Sequence, residues 1–473
     1  MYINGEWLRS EPTFPVSNPA TGETIGHASD GTAAHARQAI DAAQAALPLW
    51  ASETAYFRSS ILYRAHGLML DQQRELAELM TREQGKPLKA SMNEVKYAAD
   101  FLLWFAEEAK RVYGETIPSA RSDQRFLVQK QPVGVVAAIT PWNYPISMLT
   151  RKLGPALAAG CTVVLKPAEA TPLCAIATFE ILAQAGLPAG VANLVTSAEP
   201  APIGDVFCTH PSVRKLTFTG STAVGKHLAQ AAAPQLKRVS MELGGHAPFI
   251  VFDDADPEHA AKGAALVKFL NTGQACISPN RIFVQRRILG PFLDTLRGRV
   301  EKLKAGDGMD PGNSIGPLIN EAAIAKVDRQ VQDAVAKGAS LLAGGARLTT
   351  DGLDAGCFYG ATLLSDITPD MLIYREETFG PVAAVVPFDD ADDVIAMAND
   401  TDYGLAAYVY TQNLSRALKT FEQLQFGIIG INDINPTSAA APFGGMKESG
   451  LGREGAREGI EEYLETKLGG ISI

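Results

Sequence analysis

The chain has 473 residues, of which 46% are hydrophobic and 20% are charged. Its length is about three times that of a typical domain, so we expect two or more domains with sizeable cores, and the composition excludes a disordered chain. A formal net charge of −10 and the lack of any long run of basic residues argue against nucleic acid as a partner.

The N-terminal residues 1–7 lack the basic start and the apolar core of a signal peptide. No window of the sequence reaches the roughly 18 apolar residues of a membrane span, so we expect a cytoplasmic protein that does not enter a membrane. The five cysteines form no C-x-x-C pair and the seven histidines form no H-E-x-x-H pattern. A disulfide scaffold and a zinc site are both disfavoured, and no metal is expected.

The predicted elements begin with a hairpin turn at Asn4-Gly5 and continue with helices, for example over 58–79 and 95–111. From about residue 130 the pattern becomes a repetition of strand, turn and helix, which is typical of a parallel sheet covered by helices. The five predicted strands of this sheet cover 133–140, 162–166, 192–196, 214–219 and 237–242.

Polar residues lie at or just beyond the ends of these strands. Ligands bind at the carboxyl ends of the strands in open parallel sheets, so we expect a ligand site at this edge. The polar residues that the pattern brings there are Asn143, Lys166, Glu169, Ser221 and Glu242.

A second α/β region begins at Gly244, with a predicted strand over 247–252 and a helix that starts at Asp256 and reaches about residue 270. Cys276 follows in a loop, which is where nucleophiles are often found. The tail 461–473 is strand-like and has no obvious partner inside either region. We therefore expect it to contact another subunit.

The segment GSTAVGK at 220–226 has two interpretations. It fits the G-x-x-x-x-G-K pattern of P-loop nucleotide hydrolases, but His227 stands where that motif requires a hydroxyl to hold magnesium. The same glycines could equally bring a helix N-terminus against a dinucleotide, although the G-x-G-x-x-G spacing is absent. A P-loop-like hydrolase therefore remains an alternative to a dinucleotide-binding protein.

Three segments carry side chains suited to catalysis. Glu242, in MELGG at a strand end, could have a raised pKa and act as a general base, or it could be a solvated carboxylate. Asn143, in PWNYP, could donate to an oxyanion, or it could belong to a polar loop packed by Trp142. Cys276, in GQAC, is a candidate nucleophile, whereas the ordinary role of a cysteine is that of a small buried hydrophobe.

Two further segments suit the parts of a nucleotide. Lys166 and Glu169, three residues apart in KPAE, could bind ribose hydroxyls. Glu377 and Phe379, in EETFGPV, could offer a carboxylate to a second ribose and an aromatic wall to a flat ring. Each segment alone is modest evidence for a cofactor.

Together the segments PWNYP, KPAE, FTGSTAVG, MELGG, GQAC, EETFGPV and APFGGMKESGLGREG resemble the aldehyde dehydrogenase superfamily, in its order and spacing and over essentially the whole chain. The resemblance implies NAD(P)+-dependent oxidation of an aldehyde to a carboxylic acid through a cysteine thioester. It makes Cys276 the nucleophile, Glu242 the general base, and Asn143 the oxyanion donor together with the Cys276 N–H. The cofactor-binding residues that it implies are Thr140, Trp142, Lys166, Glu169, Gly220, Ser221, Val224, Leu243, Glu377 and Phe379.

The resemblance also implies the fold and the assembly. We expect an α/β fold with a Rossmann-like dinucleotide-binding domain over 1–114 and 132–243, with 445–460 packing nearby. An α/β catalytic domain is expected over 244–436. A small β element for oligomerisation is expected from 115–131 and 461–473, in a homodimer or homotetramer.

A carboxylate beside the adenosine ribose accepts from the 2′-hydroxyl and repels a 2′-phosphate, so Glu169 favours NAD over NADP, with NADP still possible. Within the superfamily the chain looks most like succinate-semialdehyde dehydrogenases and the related oxoglutarate-semialdehyde enzymes. Arg151 matches the arginine that pairs with the remote carboxylate of the substrate in those relatives, and Thr437 or Ser438 supplies a hydroxyl at the end of the pocket.

One position departs from the relatives. They usually carry a second arginine six residues before the catalytic cysteine, and this chain has Leu270 there. Loss of one guanidinium from a two-arginine clamp removes a bidentate partner for a carboxylate. Succinate semialdehyde or a similar short acid semialdehyde is the expected substrate, and a less charged aldehyde, hydroxylated, aliphatic or aromatic, is the alternative. Lys268 could compensate for the missing arginine, although we expect it to face elsewhere.

Overall fold

A computed structural model describes residues 1–390 and 393–473. Residues 391 and 392, which fall in the predicted catalytic domain 244–436, lie outside the described residues. Within the described ranges, no helix is both long enough and apolar enough to cross a membrane.

The strands alternate with helices along most of the chain. They are β1 (Tyr2–Ile3), β2 (Glu6–Trp7), β3 (Thr13–Ser17), β4 (Thr24–Ser29), β5 (Glu115–Ile117), β6 (Gln124–Pro132), β7 (Val135–Ile139), β8 (Thr162–Lys166), β9 (Ala192–Leu194), β10 (Val213–Thr219), β11 (Arg238–Glu242), β12 (Ala247–Val251), β13 (Pro279–Gln285), β14 (Ser340–Ala343), β15 (Thr362–Ser365), β16 (Val382–Phe388), β17 (Ala406–Tyr410), β18 (Ile428–Ile431), β19 (Gly450–Leu451) and β20 (Leu464–Ser472).

The helices cover the faces of the sheets. They are α1 (Ala33–Ser52), α2 (Ala55–Asp71), α3 (Gln73–Gln84), α4 (Leu88–Ala109), α5 (Ser147–Ala159), α6 (Pro172–Gln184), α7 (Pro200–Thr209), α8 (Thr222–Ala232), α9 (Pro257–Lys268), α10 (Leu289–Val300), α11 (Glu321–Ala336), α12 (Leu372–Arg375), α13 (Val394–Asn399), α14 (Leu414–Gln423) and α15 (Ala456–Glu461).

The first sheet has the strand order β19-β11-β10-β7-β8-β9-β1-β2. Its five central strands are parallel, which confirms the parallel sheet predicted from the sequence. Separate apolar clusters pack on its two faces. Nearly every residue of the central strands β7 and β8 is therefore buried, as is usual for parallel sheets. At one edge β1 and β2 form the predicted hairpin, where Asn4 and Gly5 take φ values of 53° and 83°.

The second sheet has the order β14-β15-β16-β13-β12-β17-β18 and is also mainly parallel. Apolar clusters again cover both faces. The chain passes from the first sheet to the second between β11 and β12 and returns to the first sheet when β19 pairs with β11. For this reason we propose that the domains divide at the predicted residues 243 and 436.

The structure corrects one expectation and confirms another. The helix predicted over 58–79 is two helices, because Gln72 leaves the helical range at ψ 14°, ends α2 and begins α3. The C-terminal tail pairs with neither large sheet, as expected: β20 pairs antiparallel with β6 along its whole length, which joins the segments 115–131 and 461–473 predicted to form a small β element. With β5 these two strands form a separate three-stranded sheet.

Candidate active site

Cys276 lies between the end of α9 and the start of β13, after a turn of unusual backbone geometry. Asn271, Thr272 and Gly273 have φ values of 50°, 57° and 76°, in the left-handed region that few residues other than glycine adopt. Glycine is required at the third position, because a Cβ there would lie 2.1 Å from the carbonyl oxygen of Gly380. The turn therefore sets the direction from which the chain reaches Cys276.

Side-chain hydrogen bonds hold this strained turn in place. Thr272 Oγ1 donates to the Gly316 carbonyl at 3.1 Å and accepts from the Gly316 N–H at 3.0 Å. Asn271 Nδ2 donates to the carbonyl oxygens of Asn143 at 2.9 Å and of Gln274 at 3.2 Å. Strained backbone persists only where such contacts over-determine it, so these hydrogen bonds fix the turn that precedes Cys276.

Two cavities meet at Cys276. We call the first, of about 420 Å³, the substrate cavity, and the second, of about 350 Å³, the cofactor cavity. Cys276 and Met148 line both. Of the predicted site residues, the substrate cavity is lined by Arg151, Cys276 and Thr437, and the cofactor cavity by Trp142, Asn143, Gly220, Ser221, Glu242, Leu243, Cys276, Glu377 and Phe379.

Glu242 ends β11 with its side chain almost fully buried, at 4% exposure. Neither carboxyl oxygen has a hydrogen-bond partner among the described residues. Burial raises the pKa of Glu242 to about 8, although the positive charge of Arg151 opposes this shift. A carboxyl group with such a pKa can accept a proton near neutral pH, as a general base must.

The environment of Cys276 also disfavours charge. Burial, and then the neighbouring Glu242 carboxylate, raise the pKa of the Cys276 thiol well above its usual range. The resting form of the residue is therefore a thiol, and a nucleophilic thiolate must form when substrate and cofactor are bound.

Asn143 is a buried residue of the loop between β7 and α5. Its Nδ2 donates one N–H to the Gln274 carbonyl at 3.0 Å. An amide nitrogen carries two hydrogens, so the second N–H is available for another acceptor. The amide is thus held in one orientation while it can still donate into the cofactor cavity.

The cofactor cavity has an aromatic wall and a carboxylate. The rings of Trp142 and Phe379 meet edge to face with their centroids 5.6 Å apart. Glu377 Oε1 accepts from the Gly245 N–H at 2.8 Å, which leaves the other carboxyl oxygen for a ligand. Ser221 begins α8, where its Oγ accepts from the Val224 N–H at 3.4 Å.

Four predicted cofactor residues lie outside the lining of both cavities among the residues that the structure describes: Thr140, Lys166, Glu169 and Val224. Lys166 ends β8, and its ammonium contacts Glu169 Oε2 at 3.1 Å. Val224 is 47% exposed on the first turn of α8. Thr140 follows β7, Lys166 ends β8 and Val224 lies on the helix after β10, so these residues stand near the carboxyl ends of strands of one parallel sheet.

Arg151 is 2% exposed, on α5. Its Nε lies 2.8 Å from Glu454 Oε2, and Lys152 Nζ lies 2.6 Å from the other oxygen of the same carboxylate. Burial opposes its charge, but Glu454 raises the pKa of Arg151. In the described part of the chain Arg151 Nη2 has no hydrogen-bond partner. The guanidinium therefore keeps one edge for a ligand.

The other predicted substrate residues differ in their position. Thr437 lines the substrate cavity, whereas Ser438 is exposed and is absent from the described lining. Leu270 also lines this cavity and is 43% exposed. Lys268 faces elsewhere, as predicted, because it is fully buried with Nζ 3.2 Å from Asn280 Oδ1. Lys268 therefore does not replace the arginine that relatives carry at the position of Leu270.

Several residues that shape the site were missed by the sequence analysis. Glu454 lies within the matched segment APFGGMKESGLGREG, but no role was assigned to it. Gln274 likewise lies within the matched segment GQAC without an assigned role, and Lys152 and Asn271 had no signal beyond being close in sequence to Arg151 and Cys276. No group of three or more potential metal ligands occurs among the described residues.

Comparison with known proteins assigns the family. Residues 7–468 match the model of the aldehyde dehydrogenase family. The chain is 50% identical over 474 residues to the glutarate-semialdehyde dehydrogenase of Pseudomonas putida, covering 100% of this chain and 97% of that protein. It is 51% identical over 467 residues to the NADP(+) succinate-semialdehyde dehydrogenase of Escherichia coli, covering 98% of this chain and 96% of that protein.

The fold is shared with a solved relative. The betaine aldehyde dehydrogenase of Staphylococcus aureus, solved in complex with NAD+, is 38% identical with a TM-score of 0.97, covering 100% of this chain and 94% of that one. The protein is thus an oxidoreductase that acts on the aldehyde group. The chain belongs to the aldehyde dehydrogenase family, not to the P-loop hydrolases that the segment 220–226 also matched.

Proposed function

We propose that this aldehyde dehydrogenase oxidises its substrate to a carboxylic acid through a thioester on Cys276. One observation carries the proposal: Cys276 lines both the substrate cavity and the cofactor cavity, so one residue borders the space for both reactants. Glu242 and Asn143 line the cofactor cavity beside it, which supports their roles as base and oxyanion donor.

In the proposed reaction the Cys276 thiol loses its proton to water and the thiolate attacks the aldehyde carbon, while the oxyanion accepts hydrogen bonds from the Asn143 amide and the Cys276 N–H. Bound NAD(P)+ supplies the acceptor for the hydride that leaves this carbon. Glu242 then removes a proton from the water that attacks the thioester carbon. The sulfur leaves as a thiolate and the carboxylic acid is released.

The residues present fit a nicotinamide dinucleotide. The N-terminus of α8, capped by Ser221, can bind the pyrophosphate, and the Trp142–Phe379 wall suits a flat ring. Glu377 suits the hydroxyls of the ribose beside that ring.

Cofactor choice is proposed to depend on Glu169, which favours NAD+ while NADP+ is also accepted. We expect Glu169→Gln to raise kcat/KM for NADP+ relative to NAD+ about tenfold, because the change removes the charge that repels a 2′-phosphate and frees the Lys166 ammonium to bind it. The ratio of the two kcat/KM values measures this effect. Glu180→Gln, on the exposed side of α6, is the control, and an unchanged ratio for Glu169→Gln would contradict the role of Glu169.

The proposed substrate is succinate semialdehyde or a similar short acid semialdehyde. Its support is Arg151, which lines the substrate cavity and whose Nη2 has no hydrogen-bond partner among the described residues. Specificity constants for succinate semialdehyde, propanal, lactaldehyde and benzaldehyde test this. A preference for the acid semialdehyde is expected, and near-equal values would favour the less charged alternative.

Restoring a second guanidinium should strengthen that preference. We expect Leu270→Arg to lower KM for succinate semialdehyde about tenfold, because a second bidentate arginine in the cavity that Arg151 lines adds charge-assisted hydrogen bonds to the remote carboxylate. KM for propanal should stay within about twofold, since propanal has no such group. Leu270→Met is the matched control; an equal change for both aldehydes would refute a carboxylate site at this end of the cavity.

The family resemblance also supports a proposed homo-oligomeric assembly and a proposed location in the cytoplasm. The sheet of β5, β6 and β20 leaves apolar side chains exposed, among them Leu127 at 44% and Leu468 at 63%, which supports its use as a contact in a homodimer or homotetramer. All five cysteines are free, as suits the reducing cytoplasm.

A further inference from the structure

A buried ion pair stands against the wall of the substrate cavity and takes no part in the steps above. Lys86, in the loop between α3 and α4, pairs with Glu94 of α4. Both side chains are 1% exposed, and both line the cavity. A buried ion pair contributes little to stability, so the role of this pair depends on the other groups that Lys86 and Glu94 contact.

Lys86 contacts the loop that carries the proposed oxyanion donor. Its Nζ donates to the backbone carbonyl of Asn143 at 2.7 Å. The same ammonium lies 4.1 Å from the centroid of the Tyr144 ring, a cation–π contact. Lys86 therefore holds the loop at Asn143 and Tyr144.

Glu94 holds the C-terminal end of the same loop, at Ile146 and Ser147. Its Oε1 accepts from the N–H groups of Ile146 at 3.1 Å and Ser147 at 3.2 Å, and from Ser147 Oγ at 3.4 Å. These N–H groups belong to the first turn of α5, which the negative carboxylate also favours electrostatically. One ion pair thus fixes the loop at both ends.

The consequence falls on Asn143. Its carbonyl is held by Lys86 and by Asn271, and its side-chain amide is held by the Gln274 carbonyl at 3.0 Å. A displacement of about 1 Å can cost roughly a hundredfold in rate where a donor must meet a developing oxyanion. The remaining N–H of Asn143 is useful only if this frame is rigid.

We propose that Lys86 and Glu94 are positioning residues that fix Asn143 for oxyanion stabilisation. The proposal rests on the proposed function, in which Asn143 is the oxyanion donor. It differs from a role of Lys86 as a second cation for the substrate carboxylate, because the Glu94 carboxylate already neutralises that ammonium.

The test replaces the ion pair without leaving a buried charge. In Lys86→Met/Glu94→Gln the glutamine carbonyl still accepts from α5, whereas the donor to Asn143 is lost. We expect kcat to fall about thirtyfold for both succinate semialdehyde and propanal, with each KM within about threefold of the parent value. Rates are normalised to the concentration of folded protein, measured by circular dichroism and thermal unfolding.

A double-mutant cycle separates positioning from structural damage. Asn143→Ala should itself lower kcat, and adding the pair replacement to it should cost less than about a further twofold, because both act through one donor. A full additional loss in the Asn143→Ala background would overturn the proposal. So would a raised KM for succinate semialdehyde alone, which would make Lys86 a substrate ligand.

The outcomes also distinguish this proposal from the proposed function. If Asn143→Ala leaves kcat unchanged, the oxyanion role fails; if it lowers kcat but the cycle is additive, only the positioning role fails. Glu94→Gln alone, a milder variant expected to lower kcat about fivefold, repeats the cycle if the double replacement does not fold. Lys215→Met removes another buried lysine, which pairs with Glu462, and should leave kcat unchanged.

Discussion

Cys276→Ala is expected to abolish NAD(P)H production from every aldehyde tested, with a loss of at least about 10⁴-fold in kcat. Without the sulfur there is no covalent adduct, and an aldehyde bound in the substrate cavity has no nucleophile from which to lose its hydride. The measurement is NAD(P)H absorbance at saturating cofactor, with mass spectrometry of the protein after a single turnover to detect an acyl group on the wild-type cysteine.

The matched control for this variant is Cys357→Ala. Cys357 is also a partly exposed free cysteine, but it does not line either cavity within the described residues. It should keep wild-type turnover. Sustained turnover by Cys276→Ala, or an acyl group found on another residue, would overturn the thioester mechanism. The family assignment would stand, but the nucleophile would have to be a different residue.

The local parts of the fold could be predicted from the sequence. The strands now seen as β7, β8, β10 and β11 were found as short buried runs that end at polar residues, and they form one parallel sheet. The break at Gln72 was not predictable, because the apolar spacing continues from α2 into α3. Likewise, the pairing of β20 with β6 depends on a register between two distant segments that no local pattern encodes.

The same distinction applies to the site. Cys276, Glu242 and Asn143 each stand in a short motif, so their chemistry could be inferred from neighbouring residues. The groups that control them come from elsewhere in the chain: Glu454 reaches Arg151, and Lys86 reaches the carbonyl of Asn143. Contacts of this kind arise only when α5 packs against its surroundings, so short motifs identify the reacting groups but not the residues that hold them.

The determinants of substrate choice could be predicted from the sequence only in part. Leu270 was recognised as a missing arginine from its spacing to the cysteine, and the structure adds that Lys268 cannot replace it because that side chain is buried against Asn280. The pairing of Arg151 with Glu454 could not be read from the sequence. It means that a substrate carboxylate must bind a guanidinium that already has one partner.

Glu242→Gln is expected to separate the two halves of the reaction. Hydride transfer needs only Cys276, the oxyanion donors and the cofactor, so the variant should release about one NAD(P)H per active site in a burst. Hydrolysis of the thioester then lacks its base, and the steady-state rate should fall about 10³-fold. Stopped-flow absorbance resolves the burst, and the acyl enzyme should accumulate in the mass spectrum.

The pH dependence of wild-type turnover gives a second test of the same group. Because burial raises the pKa of Glu242 to about 8, the carboxyl is mostly protonated at lower pH, and the rate of thioester hydrolysis should rise as pH increases through this value. Glu83→Gln is the matched control: that carboxyl is also buried, with its pKa raised by burial to about 7, but it accepts from the N–H groups of Leu173 and Cys174 away from the cavities. It should keep the wild-type burst, steady-state rate and pH profile, whereas a steady-state rate unaffected by Glu242→Gln would assign the base to another residue.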